Sequence, residues 1–267
     1  EAQRARVSSP ENLDAWSNYH LGIYHMYRFT AADTAHAIAY FGQAMRLEPD
    51  FARAHAGHSF ASFQNAFNRY DGVDVEASRL EARRSAERSV ELDHLDPLCN
   101  FVMGRCYWLE SGAAASIPWM ERSLAVNPNF AQGYYSHGLA SMMAGDPDIV
   151  LEDSTQALAI SPLDPFLYGF HGIRALYFIA QGDYPSAATW AVSAANQPGA
   201  IAVMDLIAAA ATALNGEDVE ARRWVAKATR RKPSISVAFF FQALPFCAGE
   251  TRDRIARALR ASGLPAD

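Results

Sequence analysis

Residues 123–138 read SLAVNPNFAQGYYSHG, and residues 157–172 read ALAISPLDPFLYGFHG. Each stretch carries a small residue, then Pro, then an aromatic, then His-Gly, and Pro128 and Pro162 stand 34 positions apart. Such a period is too long for a pattern of helix turns and too short for a domain. It fits one helical hairpin, restated. Small residues let two helices approach closely, Gly-Asp breaks the first helix, and Pro stops the second. One hairpin leaves an apolar face open, and the next covers it.

With four further segments of the same order, six copies can be read. The copy at 95–128 has Met103-Gly104, Tyr107, a Ser111-Gly112 turn, Met120, Ser123 and Pro128, and the copy at 129–162 has His137-Gly138, Gly145-Asp146, Ala157 and Pro162. Residues 12–49 carry Leu21-Gly22, Ala37, Phe41, Ala44 and Pro49, with a longer connection built on RFTAAD. In residues 50–94, His58 and Ser59 precede Ala82, Ala86 and Ser89; His94 stands where Pro is expected, and NRYDGVDVEAS (68–78) is inserted between the helices. The copy at 163–199 runs from His171-Gly172 through Gly182-Asp183 to Pro198-Gly199, and that at 200–233 from Ala208-Ala209 through Gly216 to Pro233. An apolar helix near Val237 to Phe246 and the amphipathic DRIARALRASGLP (253–265) are expected to cap the open end. The expected fold is all-α, a right-handed superhelical solenoid of about six hairpins with C-terminal capping helices, one domain over residues 1–267.

This order of small and bulky positions with a terminal Pro resembles the tetratricopeptide repeat over residues 12–233. YRFTAADTAHAIAYFGQAMRLEPDFARAHAG (27–57) together with LRASGLPAD (259–267) also looks like the carboxy-terminal repeat arm of bacterial signalling proteins. In those families such an arm follows a winged-helix DNA-binding domain or a class III adenylyl cyclase domain. The resemblance implies a regulatory arm. The chain opens without Met, so an effector domain ahead of residue 1 is an expected partner.

Half of the residues are hydrophobic and 19% are charged, which supports a substantial core and argues against wholesale disorder. The longest apolar run, Ala200 to Leu214, is too short to span a bilayer and contains Asp205. EAQRARVSSPENLD (1–14) lacks the apolar centre of a signal peptide. A soluble, cytoplasmic protein is expected. Cys99, Cys106 and Cys247 have no zinc-site spacing and are expected as free buried thiols in a reducing compartment. Net charge is −6, yet the end of the chain is basic, with Arg222, Arg223, Lys227, Arg230, Arg231 and Lys232 close together. A solvated helix face is the commoner role of such a cluster, and nucleic acid is not the expected partner. RLEARRSAERSVELD (79–93) reads as a helix laced by i, i+4 ion pairs.

Catalysis needs convergent groups, and the chain has no HExxH, GxSxG or CxxC and no phosphate-cradling Gly-rich loop. A noncatalytic protein without cofactor or metal is expected. His58, His137 and His171 fall at one position of three repeats. Either they form a ladder that protonation near pH 6 would disturb, or each fills a Leu-sized site and hydrogen-bonds locally. His55 and His58, three apart, have no acidic or thiol neighbour in sequence to complete a metal site.

In tetratricopeptide arrays the first helix of each hairpin lines the inner face. Matching those inward positions here gives Trp16, Tyr19, Tyr27, Phe60, Phe63, Phe101, Trp108, Tyr135, Met142, Met143 and Tyr177, with Arg53, Gln64, Arg105 and Gln132 as sparse polar anchors. Such a face is a groove for a peptide or partner helix, or else it is core, the usual role of an aromatic stripe. The matched positions hold neither Lys nor Asn, the residues with which this family clamps carboxylates, so that clamp is not expected. The expected function is protein–protein interaction through this groove. A peptide or small-molecule sensor and a homo-oligomerisation scaffold are the alternatives.

Overall fold

The structure, a computed structural model, describes residues 13–267, and every regular element among them is helical. The chain divides into two compact units, one of residues up to 111 with 115–128, the other of 129–267 with 112–114.

The first unit pairs α1 (Leu13–Met26) with α2 (Ala31–Leu47), α3 (Ala52–Asn68) with α4 (Val75–Leu92), and α5 (Pro97–Ser111) with α6 (Ile117–Val126). Each second helix also packs on the first helix of the next hairpin, and α1, α3 and α5 pack in series. The small residues act where the repeat demands close approach. A Cβ on Gly22 would lie 2.6 Å from the Phe41 ring on α2, and one on Gly57 2.4 Å from the same ring, so Phe41 is wedged between two glycines. On α5, a Cβ on Gly104 would meet Met120 of α6 at 2.6 Å.

The second unit repeats this plan with α7 (Ala131–Ala144) on α8 (Val150–Ile160), α9 (Leu167–Gln181) on α10 (Tyr184–Ala195), and α11 (Ala202–Leu214) on α12 (Asp218–Arg231). Five of the six second helices end two or three residues before a proline, at Pro49, Pro128, Pro162, Pro198 and Pro233. The residue preceding Pro is pushed out of the helical region, so the turn count is set locally. In α4, which lacks the Pro, the Asp93 carboxylate instead accepts the Leu95 N–H at 3.0 Å, and the Asn100 amide donates to the His94 carbonyl at 2.9 Å. The inserted stretch is partly absorbed into helix: residues 69–74 form a loop, and residues 68 and 75–78 belong to α3 and α4. Asp74 caps α4 by accepting the Ala77 N–H, and the Tyr70 hydroxyl donates to the Phe29 carbonyl. The ion-paired helix expected over 79–93 is α4, where Arg83 meets Glu87 at 2.8 Å and Arg79 and Arg83 both reach Glu110.

The terminal helices are α13 (Val237–Ala243), capped by the Ser236 hydroxyl, and α14 (Glu250–Ala261). They close the second unit on its first-helix side: α14 packs against α11 and reaches α9. Two main-chain hydrogen bonds, from Val237 N–H to Pro265 O and from Ala238 N–H to Ala266 O, tie residues 265 and 266 to the first turn of α13. No described helix is long and apolar enough to cross a membrane. Asp205, which interrupts the longest apolar run, is fully buried on α11 and ion-paired to Lys227 (3.0 Å) and Arg231 (2.8 Å) of α12. Two members of the basic cluster are therefore committed to a carboxylate.

Candidate interaction surface

In the first unit the helices expected to line a groove carry their aromatics inward. Phe60, Phe63, Phe101 and Trp108 are at most 2% exposed, Tyr19, Gln64 and Arg105 are also buried, and α3 is buried around nearly its whole circumference. The rings are in contact: Phe60 lies 5.8 Å from Phe63 and 5.6 Å from Phe101, and Trp108 packs against Phe63 and Phe67. The Arg105 guanidinium sits over this cluster, 4.2 Å from the Trp108 centroid and 4.6 Å from Phe63, an arrangement in which the ring quadrupoles attract the charge. The Gln64 side-chain amide donates to the Met26 carbonyl at 3.0 Å. Accessible surface remains on Trp16, Tyr27 and Arg53; Arg53 forms an ion pair of 2.7 Å with the buried Asp96.

In the second unit Gln132, Tyr135, Met142 and Met143 are buried and Tyr177 is half-buried. Tyr135 reaches across to α9, where it packs on Phe166 and Phe170 and fills the space beside Gly169. The chain's own tail lies on this side. The Cys247 N–H donates to the Met143 carbonyl at 2.7 Å, Arg254 donates to the Ile179 carbonyl at 2.8 Å, and Arg252 stacks over Phe241 while donating to the Phe246 carbonyl. Beside this segment is a cavity of 430 Å³, lined among others by Met142, Gly145, Gln181, Phe246, Cys247 and Arg252. The sequence led to the expectation of capping helices here but not of the surface they cover, because nothing in an amphipathic pattern specifies which helices it will meet. It also placed Cys247 with the buried thiols. Cys99 and Cys106 are buried, and burial pushes the Cys106 thiol up to about 12, whereas Cys247 lies exposed in the non-helical stretch before α14.

The three repeat-matched histidines make one kind of contact. The Nδ1 atoms of His58, His137 and His171 lie 3.0 Å from Ser85 Oγ, 2.7 Å from Asp153 Oδ2 and 2.9 Å from Ser193 Oγ, each on the second helix of the same hairpin. His55 Nε2 hydrogen-bonds the Pro49 carbonyl at 2.8 Å, so His55 and His58 are engaged with different partners. Burial pushes His58 and His171 below the ordinary imidazole range, against the Glu81 carboxylate beside His58 and with the help of Arg174 near His171. A base held low in the folded state stabilises the fold fully above its unfolded pKa of about 6.5, and that contribution is lost as pH falls through the folded value. The urea midpoint of the whole chain is accordingly expected to be lower at pH 5.5 than at pH 7.5, and the gap to narrow in His58→Gln. Equal midpoints at both pH values would remove this account. Asp153 has the opposite sign: burial raises its pKa, so it opposes stability above the folded value.

No protein-family model matches the chain, and no curated protein does. Solved structures do. The yeast Tom70 structure superposes with a TM-score of 0.58 at 13% identity, over 96% of this chain and 54% of that one. The structure of Pseudomonas aeruginosa PilF gives 0.55 at 15% identity, over 86% and 97%. A tetratricopeptide repeat protein of Parabacteroides merdae gives 0.50 at 13% identity, over 92% and 99%. At such identities the likeness is one of fold. The described chain therefore has the all-α hairpin-solenoid fold of tetratricopeptide-repeat proteins.

Proposed function

We propose that this chain is a noncatalytic protein-interaction module that takes a polypeptide segment on its first-helix side. The observation that carries the reading is the tail of the second unit: residues 244–261 lie against α7, α9 and α11, and the Cys247 main chain hydrogen-bonds to Met143. That side has geometry suited to an extended segment followed by a helix. In the first unit a partner would meet Trp16, Tyr27 and Arg53, with Tyr19, Phe60, Phe63 and Trp108 as the packed floor behind them. Tyr177 would serve in the same way in the second unit. Selection of displayed random peptides on the whole chain, followed by anisotropy titration, tests this. Trp16→Ala and Tyr27→Ala are expected to weaken the selected peptides at least about tenfold, the loss typical of an aromatic anchor, with helical circular dichroism unchanged. Peptides indifferent to both substitutions, or no peptide selected, would overturn the proposal.

In biological setting the reading is a regulatory arm of a bacterial, cytoplasmic regulator or cyclase, by the resemblance of residues 27–57 and 259–267. Sequencing the intact native polypeptide by mass spectrometry decides it: winged-helix or cyclase peptides upstream support the reading, and a product of 29.3 kDa sinks it. A ligand sensor is the second reading, favoured by the 430 Å³ cavity, which lies in the range of small-molecule sites. A scaffold that pairs two copies is favoured by the exposed Leu13, Trp16, Leu21 and Tyr24 of α1, and sizing at two concentrations tests it.

A further inference from the structure

We propose that the first hairpin carries a divalent transition-metal site formed by His25, Asp33 and His36. His25 lies in the last turn of α1, and Asp33 and His36 are three apart at the start of α2, which puts both on one helix face. One ligand atom from each of the three lies within 4.8 Å of the others, and His25 Nδ1 is 2.8 Å from Asp33 Oδ1. Ligands held about 2.1 Å from one ion stand roughly 3–4 Å from each other. The longer separations involve His36, whose exposed side chain can close them without moving a helix.

The two inner ligands are already oriented. The Thr30 hydroxyl donates to Asp33 Oδ2 at 2.6 Å, and Thr30 Oγ1 accepts the Asp33 N–H in capping α2, so Asp33 Oδ1 is left turned toward His25. The His25 ring is stacked on Tyr40 at 5.5 Å with an interplanar angle of 12°, and lies 5.0 Å from the His36 ring. Outer contacts of this kind fix carboxylate and imidazole ligands in established metal sites. Two imidazoles and one carboxylate suit zinc, cobalt, nickel or copper better than magnesium or calcium. Three protein ligands leave a position for water or for a side chain from another molecule. Ligation through Nδ1 takes the place of the hydrogen bond to Asp33, with the remaining ring proton of His25 on Nε2. Arg28 stands against the ion: its guanidinium is 3.8 Å from Asp33 Oδ1, and it also donates to the Tyr24 hydroxyl. Bridging α1 to α2 across the RFTAAD connection would staple the outermost hairpin of the first unit.

The probe is the metal alone, added to the full chain after chelator treatment. Cobalt(II) is expected to give visible d–d bands that zinc abolishes, and zinc is expected to raise the melting temperature. His36→Ala and His25→Ala should each weaken zinc binding at least tenfold in calorimetry, while Arg28→Ala should tighten it. Because His36 is exposed, its variant keeps the fold and remains interpretable. Absence of cobalt bands together with no zinc binding up to millimolar concentration would overturn the site. Zinc binding equal in the wild type and both histidine variants would overturn it as well, placing the ion elsewhere.

Discussion

Gly57→Val is expected to cost the first unit more than about 3 kcal/mol, at the upper end of overpacking penalties. The added atoms would enter space held by the Phe41 ring, 2.4 Å from an ideal Cβ, and Phe41 is completely buried. The ring cannot retreat, because Gly22 of α1 meets it from the other side at 2.6 Å. In an open helix, Gly→Ala would instead gain up to about 1 kcal/mol of propensity, so even Gly57→Ala distinguishes the two situations by sign. Phe41→Ala should cost about 3–5 kcal/mol through the cavity it leaves. The informative variant is Gly57→Ala with Phe41→Leu, in which a smaller side chain makes room for the new methyl, and which should be more stable than the sum of its single changes implies. Urea unfolding followed by tryptophan fluorescence measures these four and the Phe41→Leu single change that completes the cycle. A stabilised Gly57→Ala protein would show that the three helices do not meet as closely as described.

The second large effect concerns the buried carboxylate of the last hairpin. Replacing Lys227 and Arg231 together by Met should destabilise the second unit by about 3–5 kcal/mol, because the Asp205 carboxyl would be left buried without its two cations. Asp205→Ala should cost less. The side chains of Lys227 and Arg231 are 34% and 39% exposed and can turn to water once the carboxylate is gone. Adding Asp205→Leu to the double Met variant should recover most of the loss, since an apolar replacement of a whole buried ion cluster is often neutral or better. If the triple variant is no more stable than the double, packing rather than charge burial governs this site.

The hairpin plan was legible because each of its rules is local. Proline two or three residues past a helix, and glycine or serine where another helix must come close, act within one or two turns, and Gly22, Gly104 and Pro162 could be read without knowing any distant contact. The surface was much less legible. Phe60, Phe63, Phe101 and Trp108 were placed on the inner side of their helices, and an aromatic stripe looks the same whether it faces a groove or the next helix. In α3 even the other positions are buried, so no polar face marks an outside. The histidines show the same limit: their repeat register was visible, but Ser85, Asp153 and Ser193, which hold their rings, lie 16 to 27 residues away on partner helices. His25, Asp33 and His36 lie closer in sequence, but they converge only because a helix ends and another begins between them. A histidine in a last turn followed by Asp-x-x-His in a first turn is the signal that could have located them.

The closing hydrogen bonds of Pro265 and Ala266 also bear on how the protein is made. A ribosome delivers α9 and α11 well before residues 237–266, so their tail-covered apolar side is finished while its cover is still being synthesised. Throughout that interval the nascent second unit presents to its surroundings the side of α9 and α11 on which α14 later packs. The order of synthesis therefore opens a period in which a chaperone or another chain can compete with the tail for the same surface.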